Sequence, residues 1–162
     1  MNEKNSNYKE DYIFNKILYA TVLRPLLVPE GLSFFTSDDQ FIQVGSWNYK
    51  KDKVLDLHYH LEFPRTSYKT NESVYVVKGK ILCKLFKETG EFLTEIFISE
   101  NEMITQFNGA HEYTILEDSI ALEIKNGPYF GPEKDRKRIE AKKNWRKKEL
   151  IKLSQASQIK TF

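Results

Sequence analysis

The sequence predicts an all-β domain: a barrel or sandwich of short strands, followed by a helix at the C-terminal end. Three observations carry this. Between Leu32 and Lys125, runs rich in Val, Ile, Phe and Tyr recur at close spacing, and several alternate with polar residues. Glycine-containing reversals, Lys78-Gly79-Lys80 and Glu88-Thr89-Gly90-Glu91, separate neighbouring runs. The Gly-Pro units of Asn126-Gly127-Pro128-Tyr129-Phe130-Gly131-Pro132 then end the β-rich part, and helix formers follow. A chain of 162 residues is most simply one domain, with enough length to enclose a core and one small-molecule cavity.

In order along the chain, residues 1–31 read as an N-terminal leader and first β segment. The leader is polar to about Asp11. Ile13 to Val28 is apolar-rich, but Arg24-Pro25 and Pro29 interrupt any long helix, and Pro29-Glu30-Gly31 reads as a turn. Residues 32–126 form the barrel, with strands expected at Phe41–Trp47, Val54–His60, Ser73–Val77, Lys80–Lys87, Phe92–Ile98 and Ile120–Lys125. Residues 127–162 are a Gly/Pro linker and a basic helix. That helix is placed at Lys134–Leu153, with Ile139, Trp145, Leu150 and Leu153 as its apolar positions and a loose end beyond.

Composition narrows the function classes. A hydrophobic fraction of 40% with 14% aromatics excludes global disorder. No apolar run approaches the roughly 18 residues of a membrane-spanning helix. The polar start, Met1-Asn2-Glu3-Lys4-Asn5-Ser6-Asn7, lacks the apolar segment of a signal peptide. Cys83 is the single cysteine, so an internal disulfide is excluded and a cytoplasmic location is expected. The net charge of +2 conceals an asymmetry, because Glu133 to Lys152 holds ten basic and four acidic residues. Lys142-Lys143-Asn144-Trp145-Arg146-Lys147-Lys148 is basic enough to raise nucleic-acid binding. Interspersed glutamates and the apolar Trp145, Leu150 and Leu153 point instead to a solvated helix docked on the barrel or on a second subunit. No Ser/His/Asp arrangement, phosphate-cradling glycine loop or Cys-x-x-Cys pair is present.

The three histidines are the chemical signal. Side chains alternate along a strand, so His58 and His60, in Val54-Leu55-Asp56-Leu57-His58-Tyr59-His60, point to one side of a sheet and can share an ion. His111 follows in Asn108-Gly109-Ala110-His111. Neutral imidazole is the commonest metal ligand. Glu62 alternates with the histidine pair and is one candidate carboxylate; Glu72 is the other.

These residues resemble the cupin superfamily over Asp56 to Ile124. His58-Tyr59-His60 matches the His-x-His pair of the first cupin motif. Glu72-Ser73-Val74-Tyr75-Val76-Val77-Lys78-Gly79 matches its glutamate and glycine, and His111 matches the histidine of the second motif. The chain departs from the pattern elsewhere. His60 and Glu72 are further apart than usual, Asp52 stands at a usual glycine, Gln106 at a usual proline, Asn108 at a usual glycine and Ile115 at a frequent asparagine. The resemblance implies a double-stranded β-helix, or jelly-roll barrel. It implies a divalent transition metal (Fe, Mn, Ni, Cu or Zn) on His58, His60, Glu72 and His111, and a homodimer. By the same resemblance, which extends to small cupins of polysaccharide loci, the substrate or ligand is a small polar metabolite, best a sugar or nucleotide sugar. The chemistry expected is that of an isomerase or epimerase, with Glu62, Tyr75 or Tyr113 moving a proton. The alternatives are an Fe(II)-dependent dioxygenase and a non-enzymatic ligand-binding sensor.

Overall fold

A computed structural model describes residues 7–142. The described residues are mostly β and the sheets are antiparallel. The first two strands, β1 (Lys9–Phe14) and β2 (Ile17–Leu23), form a hairpin. Its two-residue turn, Asn15 and Lys16, has φ of 51° and 64°, the left-handed backbone that matches the twist of paired strands. A 3₁₀ turn at Pro25–Leu27 leads to a second hairpin, β3 (Gly31–Phe34) and β4 (Gly45–Asn48). Six strands follow: β5 (Glu72–Lys78), β6 (Lys80–Phe86), β7 (Phe92–Ser99), β8 (Met103–Gln106), β9 (Ala110–Ile115) and β10 (Ile120–Lys125).

Two sheets face each other. One runs β1-β2-β8-β5-β10 and the other β7-β6-β9. The pairings of the later strands are nested: β5 pairs β10, β6 pairs β9, and β7 and β8 are consecutive between them. The sheets are held together by an apolar layer of Ala20, Val22, Val74, Val76 and Ile104 from the first sheet and Ile81, Cys83, Leu85, Ile96 and Ile98 from the second. Removing such area from water is the main driving force for this arrangement. The hairpin β1–β2 shares this core with the strands after residue 32. A second cluster, Leu23, Phe35, Ile42, Val44 and Phe107, covers the opposite side of the five-stranded sheet.

The strands expected at Ser73–Val77, Lys80–Lys87, Phe92–Ile98 and Ile120–Lys125 form within a residue or so of their bounds. Three expectations need correction. Phe41–Trp47 is β only from Gly45, because Ile42 and Val44 are buried as loop side chains in the second cluster. Val54–His60 forms no strand: its alternation suits a pleat, but no described strand pairs with it, and Val54, Leu57 and Tyr59 stand in solvent. Within the described part of the expected C-terminal helix there is one helical turn, α1 (Pro132–Asp135), after which Arg136 is extended. The charged residues beyond it have no apolar face to bury before Ile139, and the chain instead runs on so that Lys142 N donates to Gly90 O. The rest of the span where the helix is expected, residues 143–153, lies outside the described residues. No described helix is long and apolar enough to cross a membrane.

Gly79 makes the one-residue link from β5 to β6 with φ +86°, and a Cβ there would lie closer than 3.0 Å to Ser119 and Asp118. Gly79→Ala is expected to lower stability by more than about 1 kcal/mol, read as a fall in the thermal or denaturant midpoint; an unchanged midpoint would contradict this turn geometry.

Candidate functional site

Strand parity decides which side chains enter the space between the sheets. On β5, Val74 and Val76 belong to the core, so Glu72, two residues earlier, shares their face. Lys125 and Gln106 stand directly opposite Glu72 on β10 and β8, and Glu123 stands opposite Val74. From the other sheet, His111 and Tyr113 stand opposite Leu85 and Cys83 of β6, whose side chains are core. Seven polar or thiol-bearing residues thus line one end of the inter-sheet space: Glu72, Gln106, Glu123, Lys125, His111, Tyr113 and Cys83. The cleft opens between β9 and β10, neither of which has a second partner among the described strands, and Ile115 and every residue of β10 are exposed.

Within the cleft, His111 Nε2 lies 3.6 Å from Glu72 Oε1. Lys125 Nζ lies 4.0 Å from Glu72 Oε2 and is ion-paired with Glu123. Gln106 Nε2 donates to Tyr113 Oη at 3.0 Å and to Cys83 Sγ at 3.4 Å. The His111 and Tyr113 rings are 5.3 Å apart. Two asparagines fix the backbone next to Glu72 and Lys125. Asn71 N donates to Asn126 Oδ1 at 2.6 Å, and Asn71 Nδ2 reaches the carbonyls of Gln106 and Phe107. Thr70 Oγ1 donates to Asp135 Oδ1 at 2.8 Å, tying α1 to the same end of β5.

Burial sets the protonation states. It raises the Glu72 carboxyl above the usual carboxylate range, and the neighbouring Glu123 charge adds to this, with Lys125 opposing. Burial lowers His111 below 6.5 with help from Lys125, while Glu123 opposes, so the neutral imidazole prevails. Burial raises the Tyr113 hydroxyl and pushes the Cys83 thiol up to about 12, so both keep their protons at neutral pH.

The residues expected from the sequence divide. Glu72, His111 and Tyr113 come together in the cleft. His58 and His60 lie on the exposed segment after Lys53, with rings 5.3 Å apart and edge to face, and His58 Nδ1 is 2.8 Å from Asp56 O. Glu62 is exposed on the same segment. Tyr75 is on the opposite face of β5 from Glu72, donating to Asn101 Oδ1 at 3.1 Å. The four expected ligands therefore stand as two pairs, and among the described residues no three His, Cys, Asp or Glu side chains gather around one point. Gln106, Glu123 and Lys125 join the cleft without a motif that marks them as site residues. The period-two spacing of Glu123 and Lys125 on an otherwise apolar strand was the available sign. On the far face of the sheet, a separate cavity of about 220 Å³ is lined by Leu23, Phe35, Val44, Trp47 and Met103.

Comparison with protein-family models, with curated proteins and with solved structures finds no match.

A buried group whose pKa is raised binds its proton more tightly in the folded than in the unfolded chain. Its contribution to stability is present at acid pH and is lost as pH rises through the folded pKa. Glu72→Gln, which keeps the shape without the charge, is thus expected to raise the melting temperature at pH 7–8, with the gain shrinking toward pH 4; a loss of stability at pH 8 as large as that at pH 4 would contradict this account of Glu72.

Proposed function

We propose that the chain is a single-domain cupin-type jelly roll whose cleft binds a small polar metabolite, a sugar or nucleotide sugar, and moves a proton on it. The nested pairing of β5 with β10 and β6 with β9 supports the jelly-roll reading, because a β-ribbon folded back on itself pairs its strands in that order. One observation carries the chemistry: an imidazole 3.6 Å from a carboxylate at the open end of an otherwise apolar layer, where burial depresses the imidazole's proton affinity. His111 is the base that takes a proton from carbon beside a sugar carbonyl. Glu72 orients the ring and stabilises the imidazolium that forms. Tyr113, which keeps its proton across the neutral range, is the acid that serves the developing oxyanion. Proton removal and return at another position or face is an isomerisation or epimerisation.

The test is solvent-deuterium exchange into a panel of hexoses and nucleotide hexoses, followed by NMR. His111→Ala is expected to slow exchange by about 10²- to 10⁴-fold, and Tyr113→Phe to slow it while leaving binding intact. Because His111 is depressed below 6.5, the acid limb of kcat/KM is expected below that value. A panel without exchange or binding would overturn the reading.

A bound divalent transition ion is the second reading, favoured by the His58–His60 ring pair. Metal analysis of protein purified without an affinity tag tests it, with His58→Ala/His60→Ala expected to lower the metal content. If Glu72→Gln and His111→Ala lower it equally, all four donors share one ion; protein that takes up no Fe, Mn, Ni, Cu or Zn removes this reading.

A further inference from the structure

We infer that residues 55–63 are an exchange arm: in a pair of copies, each copy lays this segment along the outer edge of β10 in the other.

Two unsatisfied features of one molecule match. The first is the arm. Leu55, Leu57, Tyr59, Leu61 and Phe63 alternate with Asp56, His58, His60 and Glu62, the two-face pattern of a half-buried strand. It has no strand partner among the described residues, and its apolar positions stand in water: Leu57 is fully exposed, Tyr59 82%, Leu61 68% and Phe63 60%. Pro64 closes the pattern, and the chain is then fastened to the body. Asn126 Nδ2 donates to Ser67 Oγ and Lys69 O, and Lys69 Nζ donates to Asn108 Oδ1. The arm is thus tethered next to the end of β10 without being paired to it.

The second feature is the edge. β10 has β5 on one side and no partner on the other among the described strands. It carries the same two-face pattern. Leu122 and Ile124, opposite Tyr75 and Ser73, face outward and are more than half exposed, while Glu123 and Lys125 face the cleft. A strand added here continues both faces. One with apolar inward positions would leave Glu123 and Lys125 desolvated with nothing polar beside them. The arm has the composition that this edge accepts. Its apolar set continues the face of Leu122 and Ile124, and its carboxylates and imidazoles continue that of Glu123 and Lys125.

The occupant is a second copy because exchange closes on itself. The single chain leaves both arm and edge open, whereas two copies related by a two-fold axis fill two edges with two arms and leave neither over. Backbone hydrogen bonds along the edge supply the pairing, and the alternating side chains fix its register. The apolar arm and edge side chains of two copies, at roughly 60–120 Å² each, supply on the order of 1,000 Å², the size at which specific interfaces begin.

Sedimentation of the full chain between about 1 and 100 μM is expected to show a dimer; a monomer throughout overturns the inference. Two variants then address the two halves separately, Leu57→Lys/Leu61→Lys on the arm and Leu122→Lys on the edge. All three positions are exposed in the single chain, so each variant is expected to keep the circular dichroism of the unaltered protein. Each is expected to raise the dimer dissociation constant about 100-fold or more. A dimer that neither variant weakens lies on another surface and overturns the exchange. Cross-linking separates exchange from closure within one chain. A Tyr59→Cys chain and a Leu122→Cys chain, co-expressed and treated with a short bismaleimide, are expected to be joined to each other; the native Cys83 is buried and takes no part. A link that forms only when both substitutions are in the same chain puts the arm on its own edge and overturns the inference.

Discussion

The register of β5 is the constraint on which the rest of the site depends. Its strand alternates between two buried layers, so a single parity choice sends Val74 and Val76 into the inter-sheet core and Ser73 to the other face, where it bonds Thr105. That choice also places Glu72 inward, opposite both Gln106 and Lys125. A slip of one residue would exchange the two sets: it would drive Ser73 and Tyr75 into the apolar layer and turn Glu72 to the far face. Packing and chemistry are therefore fixed by the same hydrogen-bond ladder. The asparagine ties at Asn71 and Asn126 hold the end of the strand where the charged groups lie.

The cleft is a local exception to the apolar layer that encloses it. A carboxylate, an imidazole, a phenol, an amide and a thiol are gathered where Val and Ile would have packed with less cost. Burial shifts Glu72 upward and His111 downward, both toward their neutral forms, which brings a carboxyl and an imidazole closer in proton affinity than they would be in water.

Much of this was legible in the residues. Runs such as Lys80–Phe86 and Ile120–Lys125 announce strands through β-branched and aromatic content, and Gly79 and Gly90 announce their reversals. Motif spacing singles out Glu72 and His111, which stand 3.6 Å apart in the cleft. What could not be read is pairing at a distance. Met103–Gln106 and Ala110–Ile115 are too short or too polar to declare themselves, and become strands because β5, β2 and β6 offer them partners. Val54 to His60 shows the reverse: a strand-like alternation that finds no partner among the described strands stays open to water. Asp52 lies between these cases. It stands where the first cupin motif usually has glycine, and its φ of +68° is the backbone that glycine tolerates best. Gln106 and Lys125 were invisible as site residues because only the register sets them beside Glu72.

Among the described strands, β10 ends its sheet, and its outer row of backbone donors and acceptors is flanked by the exposed Ile120, Leu122 and Ile124. Such an edge is a template on which another chain could add a strand and begin a fibril. Glu123 and Lys125 oppose that growth, since a sheet continued past them would strip water from two inward charges. The residues that give the cleft its polarity thus also guard the molecule against aggregation, and neutralising both would be expected to make the protein harder to keep in solution.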